Sequence, residues 1–198
     1  MKKRYVLIDY ENVHNIDLKP LLNQEIHIMV FHSEDQKFTS DFTTRAIDLG
    51  KEKIELIKMK GHGKNALDFH IAFFMGKLLR NQKDLEFYVI SKDNGFEPLV
   101  NFIKDREEIP AYIKPSVADI PMLKHNDQIA KDNYQFVVKT LSDPARLNKP
   151  KTMIALKKEI FSKCGRKISD LQVEEMIIKL KTEEIIECDG GKIIYKKT

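Results

Sequence analysis

Three aspartates spaced widely along the chain, Asp9, Asp68 and Asp93, each stand where a strand is expected to end or a helix to begin. Asp9 closes the apolar run Tyr5-Val6-Leu7-Ile8. A run of that kind belongs in the middle of a sheet, where an uncompensated charge is costly, so Asp9 needs a cation or a hydrogen-bond donor. Asp93 follows the strand-like stretch Phe87 to Ile90 and precedes a turn at Asn94-Gly95. Asp68 falls in the first turn of a helix for which Asn65 is the expected N-cap and Leu67, Ile71, Phe74, Met75 and Leu78 form the buried stripe. Taken singly, Asp68 reads as a complement to the helix dipole, worth about 0.3–1 kcal/mol, and Asp93 as an ordinary turn residue. Three carboxylates brought to one edge make instead an oxygen-only cation site, suited to magnesium or manganese rather than zinc.

What must position them is an alternation of strand and helix signals. Strands are expected at Tyr5–Asp9, Ile26–His32, Lys53–Met59, Glu86–Ser91 and Ile109–Lys114, with helices between them at Leu18–Asn23, Ser40–Gly50, Ala66–Asn81 and Gly95–Arg106. Such a repeat builds an α/β fold, a parallel sheet with helices on both faces, because a parallel crossover needs a connection of helix length. In open sheets of this kind the ligand lies beyond the carboxyl ends of the strands, near the switch in strand order. Asp9 and Asp93 end strands, and a helix following a strand starts at that same edge, so all three acids converge there.

Composition narrows the classes. The 198 residues, 42% of them hydrophobic, suffice for one full core and a second small unit. No apolar stretch approaches the roughly 18 residues of a membrane span, the Met-Lys-Lys-Arg start does not lead into a signal peptide, and a cytoplasmic protein is expected. Cys164 and Cys188 form neither a disulfide framework nor a zinc site and read as inert thiols. No phosphate-cradling glycine motif is present, which disfavours a nucleotide-binding domain. The net charge of +4 is unevenly placed: residues 1–125 balance 19 basic against 19 acidic side chains, whereas residues 126–198 carry 15 against 11. Between Arg146 and Lys167 eight basic residues accompany a single acid, Glu159, a one-signed stretch that marks either a solvated face or a surface for phosphate.

The stretches IDYENV, NALDFHIAFFMGKLL and ISKDNGFEPLV, in that order over roughly residues 4–115, resemble the PIN-like nucleases, in particular their NYN branch and its bacterial relatives. The resemblance implies a metal-dependent ribonuclease site in which Asp9, Asn12, Asp68 and Asp93 are the catalytic positions and Asp9, Asp68 and Asp93 hold Mg2+ or Mn2+. One departure stands out. Many members of the superfamily have a further aspartate two residues after the acid of the fourth strand, where this chain has Gly95; Glu97 is the nearest replacement ligand, although it equally complements the dipole of its own helix. Asn12 is expected to orient a water or a phosphate, and Lys64 and Lys92 to hold the flanking backbone. His62, in a Gly-His-Gly loop, reads as a surface residue rather than a general base.

Beyond a polar linker at residues 119–126, helix signals at Asp127–Ser142, Thr152–Cys164 and Ser169–Lys181 lead to strands at Ile185–Glu187 and Lys192–Tyr195 around the turn Asp189-Gly190-Gly191. Three helices and a hairpin resemble a winged helix, giving a nuclease domain over residues 1–118 and a winged-helix-like domain over 127–198. The third helix carries Glu174 and Glu175, so nucleic acid is expected instead at Lys163, Arg166 and Lys167. Protein docking or homodimer formation is the competing role. The function expected is hydrolysis of RNA, single strands included, with a non-catalytic RNA-binding adaptor as the alternative.

Overall fold

The computed structural model describes residues 2–59 and 65–196. Compact packing divides the chain into two units, residues 1–124 and 125–198. In the first unit five parallel strands lie in the order β3-β2-β1-β4-β5, with β1 at Lys3–Asp9, β2 at Ile26–His32, β3 at Ile54–Lys58, β4 at Leu85–Ile90 and β5 at Ala111–Lys114. Helices α1 (Ser40–Leu49), α2 (Ala66–Asn81) and α3 (Glu97–Glu107) connect them.

The central strand explains itself by its period of two. Val6 and Ile8 point into one core with Phe42 and Leu49 of α1, while Tyr5 and Leu7 point into another with Leu67, Ile71 and Met75 of α2 and Val100 and Ile103 of α3. Both faces are thus covered, which is why β1 reads as an unbroken apolar run rather than an alternating one. The chain leaves β1 towards β2 on one side and pairs β1 with β4 on the other, so the order reverses between β1 and β4. Ile8 lies opposite Ile90, which brings Asp9 and Ser91 to the carboxyl edge side by side.

Two local expectations are corrected. The segment Leu18–Asn23 is a single 3-10 turn, Lys19–Leu21, rather than an α-helix, short enough to drop Leu18 and Leu21 into the core before the chain enters β2. Asn65 does stand at the N-cap of α2, but with φ 65° and no side-chain bond to the helix amides. It serves as a left-handed turn residue, a conformation asparagine tolerates.

In the second unit, α4 (Pro121–Ser142), which begins in the first, packs with α5 (Met153–Lys163) and α6 (Asp170–Thr182) around Tyr134, Val137, Leu156, Ile160, Ile177 and Leu180. Residues 121–126, expected as linker, are helical. Thr152 caps α5, and Ser169 with Gln172 forms a capping box on α6. Strands β6 (Ile186–Asp189) and β7 (Lys192–Tyr195) pair antiparallel, and Thr152 bridges to Lys192. Asp189 belongs to β6, opposite Lys192, so the turn is Gly190-Gly191 alone; both have positive φ, as a tight hairpin turn requires. No helix among the described residues is long and apolar enough to cross a membrane.

Candidate active site

Asp9 is fully buried, 0% exposed, at the carboxyl end of the central strand. Its charge is met by donors. The side-chain amide of Asn12 donates to Oδ2 at 2.6 Å and the Asn12 backbone N–H to Oδ1 at 3.2 Å. The Ser91 hydroxyl, from the adjacent strand end, donates to Oδ2 at 2.8 Å. Ser91 Oγ in turn accepts from the Asp93 backbone N–H at 3.0 Å, so one hydroxyl, 82 residues from Asp9 in sequence, couples the two aspartates. Asn12, read as a ligand-orienting residue, here orients Asp9 with two of its donors.

Asp93 is exposed and caps the 3-10 turn Asn94–Phe96, its Oδ1 accepting from the Gly95 N–H at 2.8 Å. Oδ2 has no protein partner among the described residues. A Cβ at position 95 would stand 3.2 Å from Asp93 Oδ1, tighter than ordinary contact. The glycine at this position leaves the Asp93 carboxylate uncrowded where it folds back onto this amide.

Asp68 lies half-buried in the first turn of α2. Burial pushes its carboxyl above the usual range, and the negative charges of Asp9, Asp93 and Glu11 push it further in the same direction. The three expected aspartates thus share one electrostatic field. Glu11 joins them, a residue the sequence reading passed over although it directly follows the first strand's edge. Ser91 was missed as well; its only signal was a hydroxyl two residues before the acid. Glu97 opens α3 and is exposed.

None of these carboxylates has an ion-pair partner among the described residues, yet no group of three or more acidic, histidine or cysteine side chains there closes on a single ion-sized point. The physical reason is visible in the bonds above: Asp9 is held back by Asn12 and Ser91, and Asp93 by Gly95. The donor set is nevertheless all oxygen and mutually repelling, the chemistry that a hard divalent cation relieves. Lys92 is exposed between Ser91 and Asp93. Lys64 and His62 lie outside the described residues.

The sequence matches the PIN7 family, a PIN domain, over residues 3–107, from the first strand to the end of α3. The chain belongs to the PIN-domain family. No curated protein and no solved structure gives a significant match. PIN domains are commonly nucleases that use divalent metals, and the carboxyl edge of this PIN domain is where its acids gather.

The second unit's basic stretch is less uniform than its sequence. Arg146 is tied to Glu159 by two hydrogen bonds of 2.5 and 2.8 Å, and Lys157 pairs with Glu174. Lys163, Arg166 and Lys167 are exposed at the end of α5 and the turn after it, without carboxylate partners among the described residues; Lys163 Nζ lies 5.9 Å from the Phe136 ring centre. Cys164 is buried, which raises its thiol pKa, and Cys188 is exposed; both are free.

Proposed function

We propose that the protein is an Mg2+- or Mn2+-dependent endoribonuclease of the NYN type, hydrolysing RNA phosphodiester bonds at the Asp9/Asp68/Asp93 edge. The observation that carries this reading is the fully buried Asp9 at the strand-order switch, within the shared field that raises Asp68. Fixing such a carboxylate costs free energy that a structural role does not need. A divalent cation held there supplies Lewis-acid polarisation of a phosphate oxygen and an acidified water. The chain's own residues do the rest. Asp9, Asp68 and Asp93 provide the anionic oxygens; Asn12 and Ser91 fix the orientation of Asp9; and Oδ2 of the exposed Asp93 is left for a ligand. Lys92, exposed beside Asp93, is the cation this reading assigns to a flanking phosphate.

In the same reading the second unit is a winged-helix-like module, supported by the order of three helices and hairpin and by the Thr152–Lys192 bridge, which gives the hairpin a third strand position. Lys163, Arg166 and Lys167 are its phosphate-facing surface. A second reading, a non-catalytic RNA-binding adaptor, is favoured by one observation: the carboxylates do not close on one point, with Gly95 in place of a further acid. Incubating labelled RNA and DNA with the full chain in magnesium, manganese or chelator, alongside Asp93→Asn, separates the two. Cleavage that requires metal and Asp93 supports the nuclease; RNA binding with no cleavage in any metal supports the adaptor.

A further inference from the structure

Helix α2 buries Leu67, Ile71 and Met75 on one side, and the opposite side would ordinarily be polar. Instead it presents Phe69, 72% exposed, and Phe73, 65% exposed. At the same helical steps follow Gly76 and then Arg80, with Lys77 alongside. The glycine has no internal purpose: a Cβ there would touch nothing within 4 Å, yet glycine in a helix interior costs about 1 kcal/mol relative to alanine. Apart from Asp68 in its first turn, α2 has no acid, and neither Lys77 nor Arg80 has a carboxylate partner among the described residues.

We propose that this face of α2 is a stacking subsite for single-stranded RNA, with bases on Phe69 and Phe73, close backbone approach over Gly76, and phosphates on Lys77 and Arg80. Exposed aromatic rings followed by cations that no carboxylate neutralises, Lys77 lying 5.6 Å from the Phe74 ring centre, suit a chain whose bases offer free π-faces at intervals along a polyanion. Phe69 and Phe73 are separated by about 6 Å along the axis, and Arg80 is about 16 Å from Phe69, a run of a few nucleotides. A second copy of the protein fits less well. The two phenylalanines together bury at most about 300–500 Å², short of the roughly 800 Å² per partner of a standard interface. Pairing the faces in parallel would also bring together cations with no acid between them. The subsite rests on the ribonuclease reading only for its place in the reaction: Phe69 directly follows Asp68, so a strand stacked on α2 leads to the carboxylate edge.

The test is fluorescence anisotropy of the full chain in chelator, so that nothing is cleaved, with a labelled non-self-complementary RNA of about twelve nucleotides and a duplex of the same length. Phe69→Ala/Phe73→Ala is expected to weaken single-strand binding at least about fivefold per ring while leaving the salt slope unchanged. Duplex binding should not respond, because paired bases cannot reach the rings. Lys77→Gln/Arg80→Gln should flatten the single-strand slope by about 1.4. Thermal unfolding of each variant verifies that it is folded at the assay temperature. Unchanged single-strand affinity in the phenylalanine variant, equal weakening with duplex, or a dimer in sedimentation that the phenylalanine variant abolishes, would overturn the proposal. Failure of the nuclease reading looks different: binding here persists and no metal yields cleavage.

Discussion

At the scale of single residues, the site is held by what surrounds its acids. Ser91 is the joint, accepting from Asp93 and donating to Asp9, and Ser91→Ala leaves a buried carboxylate short of a donor and an amide short of an acceptor. We expect a loss of about 1–3 kcal/mol in denaturant unfolding, and about a 10–100-fold fall in cleavage, the usual cost of losing a group that orients a ligand. Asp68 makes a prediction of opposite sign. Its carboxyl is raised in the folded chain by burial and by neighbouring acids, so at pH values between its ordinary and folded pKa the native state holds a proton that the unfolded chain has released. Stability from this group therefore falls as pH rises through the folded pKa. In chelator, Asp68→Asn should unfold at higher temperature than the wild type at pH 7, with the gap closing as pH falls to about 4. A gap independent of pH would contradict the shared field.

At the scale of elements, the strands and helices were legible because their patterns are local: an unbroken apolar run for β1, Asp93 before a turn, a stripe at helical spacing in α2. Ser91 and Glu11 were not, since Ser91 matters through the pairing that brings the ends of β1 and β4 together, and Glu11 through the approach of its charge to Asp68 at the start of α2. The 3-10 turn at Lys19–Leu21 was misread because its apolar spacing imitates a helix too short to form one. The end of the first unit was misplaced for a similar reason. The polar stretch after Pro115 hides Ile120 and Leu123, both buried against the face that Val6 and Ile8 line. A fragment of residues 1–124 should unfold cooperatively, whereas one ending at 118 should lose about 1.5–3 kcal/mol for each of these side chains. Equal midpoints for the two fragments in urea would show that neither residue is needed.

At the scale of the whole molecule, the proposed reading divides labour, with cleavage assigned to one unit and recruitment to the other. Replacing Lys163, Arg166 and Lys167 by glutamine should flatten the salt dependence of RNA binding by about 2, since about 0.7 counterions are released per phosphate neutralised on a single strand. Turnover at saturating RNA should change little, because the acids belong to the other unit. An unchanged slope would instead assign that surface to a protein partner. The central claim, that the buried carboxylate of the first strand serves a nuclease, is tested most directly at Asp9. The decisive measurement is the single-turnover cleavage rate of single-stranded RNA by the full chain in manganese, wild type against Asp9→Asn, with the folded fraction of each checked at the assay temperature. The amide keeps the shape and removes the charge, so the rate should fall by about a hundredfold or more while RNA affinity is retained. A folded Asp9→Asn protein that cleaves at the wild-type rate would contradict the account.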